Sequence, residues 1–195
     1  TASISGWQTF SATSQPSGWS TGTTGLGYDT TTTPVNFLPY ISTNVQSAMY
    51  NHHADIFTLM NFNISDPSAI QALILKVQYD DGYTAWINGV RVADANTPEN
   101  NAISWNTNAA GSGDDTQAIT YREYDVTSIK SLLHAGNNTL AIQGMNSGSG
   151  SEDFLLSPTL YSRTYTYPTT GTIYYTTDGT DPRTTSGGIS SSALV

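Results

Sequence analysis

The chain has 195 residues, enough for one large β domain with a small appendage, and its 6 Lys and Arg against 15 Asp and Glu give a formal net charge of −9. A field of that sign repels phosphate backbones and anionic lipids, which argues against nucleic acid as a partner. Charged residues make up only 11% of the chain and cysteine is absent, so disulfides and thiolate sites are excluded, and the hydroxyl-rich surface predicts a secreted or cell-surface protein.

The first 62 residues combine Ser, Thr, Gly and Asn with scattered aromatic residues. They carry no helical period, which predicts strands separated by long loops. One strand is expected near 56–64, because one parity there is almost entirely apolar: Ile56, Met60, Phe62 and Ile64. Asp66 followed by Pro67 predicts the cap and first residue of a single helical turn.

The clearest pattern lies at 73–93. Apolar residues alternate along 73–79, which predicts a half-buried strand that ends at Asp80-Asp81-Gly82. Asn88-Gly89 is typical of a type I′ turn. We therefore predict a three-stranded meander over 73–93, in which Asp80 and Asp81 are solvated turn residues that bond their own backbone.

The second half of the chain alternates polar loops with short apolar segments. A long polar loop, or a loop with a short strand, is predicted at 96–117, a short helix before Gly136, and strands at 139–145 and 154–161. The longest apolar stretch, around 69–77, is interrupted by Gln71 and Lys76 and is far shorter than the roughly 20 residues that a membrane helix needs. No membrane insertion is predicted.

The run from Val77 to Ala93, with its Asp80-Asp81-Gly82 and Asn88-Gly89 turns, resembles the hairpin of galactose-binding-like jelly-roll modules. The resemblance covers most of residues 5–161. The other segments that match are Trp19 with Gly25–Asp29, Tyr124–Val126 with Leu132–Asn138, and Ser151–Pro158. It implies an all-β domain over 1–162, an antiparallel β-sandwich of jelly-roll type with one or two short helices. Such modules occur in large secreted multidomain proteins, and some relatives bind sugars.

The remaining segment, 163–195, resembles the immunoglobulin-like domain at the C-terminus of chitobiase-type β-hexosaminidases. The motif runs from Ile173 to Arg183 and continues to Gly187-Gly188. Only about ten residues separate Tyr161 from Ile173, too few for the leading strands of such a sandwich. We therefore predict a partial β hairpin segment whose open edges invite pairing with neighbouring domains or copies.

Sugar recognition needs a flat aromatic face against the apolar side of a pyranose, flanked by groups that pair with the ring hydroxyls. The residues predicted to supply these groups are Trp105, Trp86, Tyr83, Asn106, Asp114 and Arg122. Trp105 lies in a polar loop and is the aromatic residue most expected to be exposed. Trp7 and Trp19 are expected to fill the core or to seal one end of the sandwich.

A hard cation is the metal that this cysteine-free chain suits, because Ca²⁺ collects oxygen ligands from carboxylates and loop carbonyls. The resemblance also implies one structural Ca²⁺, since jelly rolls of this type often carry one. Asp29, Glu152 and Asp153 are the predicted ligands. The loop after Tyr28 and the approach to the last strand are expected to meet at one end of the sandwich.

Catalytic patterns are weak. His52-His53 lacks the helix and the Glu of a zinc protease, and no nucleophile elbow is present. Adjacent carboxylates could supply an acid and a base for glycoside cleavage, so a hydrolase is a third hypothesis after the two given next. We therefore predict a non-catalytic extracellular attachment module that binds a polysaccharide or glycan. The alternative is a structural or adhesive subunit that assembles with neighbouring copies or domains through open β edges.

Overall fold

The computed structural model describes residues 6–9, 18–98, 104–166 and 170–195. Internal contacts divide the chain into a larger unit, Thr1–Thr164, and a smaller unit, Tyr165–Val195. The strands of the larger unit are β1 (Leu26–Asp29), β2 (Thr43–Asn44), β3 (Asp55–Ile64), β4 (Ala72–Asp80), β5 (Gly82–Ile87), β6 (Val90–Ala95), β7 (Arg122–Asp125), β8 (Gly136–Met145) and β9 (Asp153–Arg163).

The strands form two sheets. One has the order β2-β1-β9-β4-β7 and the other the order β3-β8-β5-β6. Apart from the short parallel pair β1–β2, all pairs are antiparallel. With β2 set aside, the eight remaining strands have the order of a jelly roll. The predicted all-β sandwich is confirmed.

The two sheets enclose one main apolar core. Tyr28, Leu75, Tyr83, Ile142 and Phe154 are completely buried in it. The apolar parity predicted for 56–64 also faces this core, where its four side chains are half-buried. A smaller cluster on the outer face of the four-stranded sheet joins Trp7, Trp86 and Ala141, and Trp19 packs against its rim.

The predicted meander at 73–93 is only half right. β5 and β6 do form a hairpin, and Asn88 and Gly89 have the positive φ angles (48° and 83°) that its turn requires. However, β4 belongs to the five-stranded sheet and β5 to the four-stranded sheet, so Asp81 is a corner between sheets and not a hairpin turn. Asp80 and Asp81 are consequently buried, with 1% and 5% of their surface exposed, and the prediction of solvated turn residues is wrong.

The helices are short. The described residues contain α1 (Gln46–Met49), α2 (Asp115–Ala118) and 3₁₀ segments at Trp7–Thr9, Leu38–Tyr40, Pro67–Ala69 and Thr127–Leu132. Asp66 caps the predicted turn by accepting a hydrogen bond from the Ser68 amide at 2.8 Å. α2 was not predicted, because it lies in the polar stretch that indicated a loop. Among the described residues, no helix is both long and apolar enough to cross a membrane.

The smaller unit has little regular structure. Within its described residues, isolated β bridges join Tyr175 to Leu194 and Arg183 to Ile189. Seven large apolar side chains among the described residues of this unit are exposed by 37–81%: Tyr165, Ile173, Tyr174, Tyr175, Ile189, Leu194 and Val195.

Candidate functional site

Several carboxylates collect where β1, β9 and β4 meet at one end of the sandwich. Asp29 closes β1 and lies directly opposite Asp153, the first residue of β9. Asp80 closes β4 on the other side of β9, opposite Leu155. These side chains lie at one end of the sandwich because β1 and β4 flank β9 in the same sheet, and the last residue of each is paired with the beginning of β9.

Asp80 is the least satisfied member of this group. Neither of its carboxylate oxygens has a hydrogen-bond partner in the part of the chain that the structure describes. Burial raises the pKa of Asp80 to about 8, and the neighbouring charges of Asp81, Asp153 and Asp115 act in the same direction. A buried carboxylate without donors is stable only when it is protonated or when a cation neutralises it.

The carboxylate of Asp81 lies beside that of Asp80 and is well supported. Its Oδ1 accepts a hydrogen bond from the Gly113 amide, and its Oδ2 accepts one from the Ser147 amide at 2.7 Å. A Cβ atom at position 113 would lie 3.1 Å from Asp80 Oδ1 and 3.2 Å from Asp81 Oδ1. Glycine therefore allows the loop backbone to approach both carboxylates closely.

A cavity of about 200 Å³ opens beside Asp81, whereas Asp80 does not line it. Its lining residues are Tyr79, Asp81, Asn96, Ser112, Gly113, Asp114, Ala118 and Arg122. We call this cavity the polar pocket. Arg122 donates a hydrogen bond to the Tyr79 hydroxyl, and its guanidinium lies 5.0 Å from the centre of the Tyr79 ring. Two residues predicted from sequence, Asp114 and Arg122, are thus brought together.

Trp105 and Asn106 lie elsewhere, on the loop that approaches the start of β3. The Trp105 side chain is 43% exposed, and its ring centre lies 4.8 Å from that of His53 and 5.6 Å from that of Phe57. Asn106 adopts a φ angle of 59° and accepts a hydrogen bond from the Ala54 amide at 2.9 Å. This tryptophan has the accessible face that sugar stacking requires.

The other two aromatic candidates are not accessible, and their assignment to a carbohydrate site is corrected. Tyr83 is completely buried in the main core, where its ring centre lies 4.9 Å from that of Tyr79. Trp86 is 9% exposed on the outer face of its sheet, because Trp7 covers it with a ring-centre distance of 5.5 Å. Both faces of β5 are therefore covered.

The residues predicted as calcium ligands meet at one end of the sandwich, but their donor atoms differ in availability. Both oxygens of Asp29 already accept backbone hydrogen bonds, from Thr31 and Thr32 at Oδ1 and from Phe37 at Oδ2. Glu152 is exposed. Burial raises the pKa of Asp153 to about 6, with further contributions from Asp115, Asp29 and Asp81.

Within the described residues, no group of three or more His, Cys, Asp or Glu side chains is arranged to hold a metal ion. Asp80 and Asp81 supply two carboxylates, so a cation there would take its other ligands from carbonyl, water or ligand oxygens, which Ca²⁺ accepts readily. Sequence reasoning missed this pair because two acids before a glycine are typical of a solvated turn. The available signal was that they follow an apolar strand directly.

No family model matches the chain, and no curated protein matches it. Among solved structures, it is similar to a β-D-mannosidase from Dictyoglomus thermophilum (16% identity, TM-score 0.30, 48% of this chain and 9% of that chain). It is similar to an α-L-rhamnosidase from Aspergillus terreus (22%, TM-score 0.36, 55% and 12%) and to the PA14 domain of the MpAFP antifreeze protein (18%, TM-score 0.29, 57% and 45%). The chain covers less than half the length of each of these. Likenesses this low carry no argument, so the sandwich assignment rests on the strand order.

Proposed function

We propose that this chain is a non-catalytic, extracellular carbohydrate-binding module whose ligand enters the polar pocket. The observation that carries the proposal is a pocket of mixed polar character lined by Asp81, Asp114 and Arg122, with the buried, unpartnered carboxylate of Asp80 next to Asp81 in the chain but outside the pocket lining. Carboxylate, amide and guanidinium groups pair with sugar hydroxyls.

A divalent cation, calcium by its preference for oxygen ligands, would be held by Asp80, whose oxygens have no partner among the described residues, and by the remaining lone pairs of the Asp81 oxygens, each of which accepts one amide hydrogen bond. It would offset the cost of burying Asp80 in its charged form, because it supplies the opposite charge that the surrounding acids do not. Sugar hydroxyls that reach the pocket could complete its coordination shell. This assignment replaces the ligand set predicted from sequence and retains only the end of the sandwich where that set lies.

The test is calorimetric titration of the full chain with neutral sugars, once with calcium and once with EDTA. We expect binding with calcium, and loss of binding with EDTA or in Asp80→Asn. Asp125→Asn is the matched control, because Asp125 is an exposed carboxylate outside the pocket that accepts a hydrogen bond from the Thr127 amide at 2.9 Å. Absence of binding to any neutral sugar by the calcium-loaded chain would contradict the proposal.

The non-catalytic part has its own assay. Prolonged incubation with neutral polysaccharides is expected to release no new reducing ends. If reducing ends do appear, and if they disappear in Asp114→Asn or Asp153→Asn, the chain is a hydrolase.

A second candidate function, assembly with neighbouring copies or domains, is favoured by one observation. The smaller unit exposes most of the surface of Ile173 and Val195, at 81% and 80%, and about half of Ile189 and Leu194. Apolar surface of this kind is typical of protein contacts. The expected result is a solution mass above that of a monomer, which falls when Ile173 and Val195 are replaced by Ser; a monomeric full chain would exclude self-assembly.

A further inference from the structure

We infer that the ligand is an extended neutral glycan that contacts both the polar pocket and Trp105, so that Trp105 forms a second subsite. The inference rests on the proposed function, and it deepens that function by naming the class of ligand. Its basis is the geometry of a single loop, residues 104–114, whose two ends carry the two surfaces.

The Trp105 end of the loop is fixed firmly. Asp55 Oδ2 accepts hydrogen bonds from the Thr107 amide at 3.2 Å and from the Gln143 amide group at 2.6 Å. Gln143 also donates to the Ser104 carbonyl at 2.9 Å. These bonds tie the turn to β3 and β8, so the ring of Trp105 is held in place before any ligand arrives. A fixed ring loses little conformational entropy on binding.

The exposure of Trp105 has no packing explanation among the described residues. Its ring contacts are His53 and Phe57, yet 43% of its surface remains accessible, whereas Trp7 and Trp86 are exposed by 5% and 9%. An indole that is held rigidly and left open is suited to the apolar face of a pyranose.

The middle of the loop is also fixed, and it links the two surfaces. The amide of Ala109 donates to the Asn146 carbonyl and that of Ala110 to the Asn96 carbonyl, both at 2.8 Å. Six residues lie between Trp105 and Ser112 of the polar pocket, so their Cα atoms are at most about 25 Å apart. A chain of several sugar units can span up to that distance.

The charge of the chain selects among glycans. With a net charge of −9 and only 6 Lys and Arg residues, the protein repels sulfated or uronic acid-rich polymers at long range. Asp81 and Asp114 add negative charge to the polar pocket. A neutral polysaccharide is therefore the ligand class that fits both surfaces.

The experiment measures affinity against ligand length. Neutral glucan, galactan, mannan and xylan oligomers, from single sugars to hexasaccharides, are titrated calorimetrically into the calcium-loaded full chain. We expect affinity to rise with length in at least one series, and Trp105→Ala to remove that rise, a loss on the order of tenfold for the hexasaccharide. Trp105→Ala should leave the affinity for the single sugar unchanged, and Trp105→Phe should restore part of the rise.

Tyr40→Ala is the matched control, since Tyr40 is an aromatic residue exposed by 37% on the 3₁₀ segment Leu38–Tyr40. The inference is overturned if single sugars bind as tightly as hexasaccharides, or if Trp105→Ala leaves the length series unchanged; in both cases the proposed function stands. If no sugar of any length binds, both fail together.

Discussion

Asp80 should make the cation-free protein less stable as the pH rises. Its folded-state pKa is about 8 against an ordinary value of 3.8, so the folded state holds a proton that the unfolded chain releases near pH 4. The contribution of Asp80 to the free energy of unfolding is therefore greatest below about pH 4 and falls until about pH 8. At about 1.4 kcal/mol per pH unit, the full shift corresponds to roughly 6 kcal/mol, a ceiling because a buried carboxylate that ionises draws in water.

Asn is nearly isosteric with protonated Asp and does not titrate. Asp80→Asn should therefore match the wild type near about pH 3 and exceed it by several kcal/mol near about pH 8, both in EDTA. The assay is urea denaturation at a series of pH values. The comparison with Asp80→Asn isolates Asp80 from Asp153, Asp55 and Asp115, whose pKa values are also raised by burial.

Calcium should remove the difference, because a cation that binds only the folded wild type adds stability that Asp80→Asn cannot gain. Asp125→Asn serves as the control: the hydrogen bonds from Thr127 lower the pKa of Asp125, so its contribution is lost only in more acidic solution. The reasoning is refuted if wild type and Asp80→Asn lose stability in parallel between about pH 5 and about pH 8 in EDTA.

Three further substitutions test the packing. Gly27→Ala should prevent folding, because its Cβ would collide with the Phe154 carbonyl oxygen, whereas Gly111→Ala meets no atom within 4 Å and should fold normally; soluble yield and circular dichroism distinguish the two. Phe154→Ala should lower the free energy of unfolding by about 3–5 kcal/mol through the cavity it leaves, and a loss below about 1 kcal/mol in urea denaturation would show that the ring is not in the core. Asn88→Ala should cost about 2–4 kcal/mol, because it loses hydrogen bonds to Leu132, Asn138 and Thr139 and must adopt a positive φ. Asn88→Gly should recover only the part of this lost stability that is due to the positive φ angle. Equal melting temperatures for Asn88→Gly and wild type would therefore contradict this account.

Local signals in the sequence predicted much of the fold. The alternation at 73–79 marks β4, the Asn88-Gly89 pair marks the β5–β6 turn, and Asp66-Pro67 marks the short 3₁₀ turn. Each of these features depends on residues adjacent in the chain, such as a side-chain cap or a turn that tolerates positive φ. The resemblance to galactose-binding-like modules and the partial chitobiase-type segment stay predictions.

The candidate site was predicted less completely. Trp105 was expected to be exposed and is exposed, and Asp114 and Arg122 were both proposed and lie in one pocket. The sequence alone could not exclude Tyr83 from the carbohydrate-binding candidates, because period-two alternation does not reveal whether both faces of a strand are covered. Asp80 was misread for a related reason: its environment depends on β1, β9 and the loop at 113, none of which is near it in the chain.

The composition, the strand periods and the turn residues determined by themselves that this chain is an acidic, cysteine-free β protein with a hairpin at Asn88-Gly89. Only the tertiary structure decided that β4 and β5 belong to different sheets, which turns Asp80-Asp81 into a corner buried beside other carboxylates. The physical reason is that turn propensity is set by neighbouring residues, whereas desolvation and the charge around a carboxylate are set by strands that are distant in sequence.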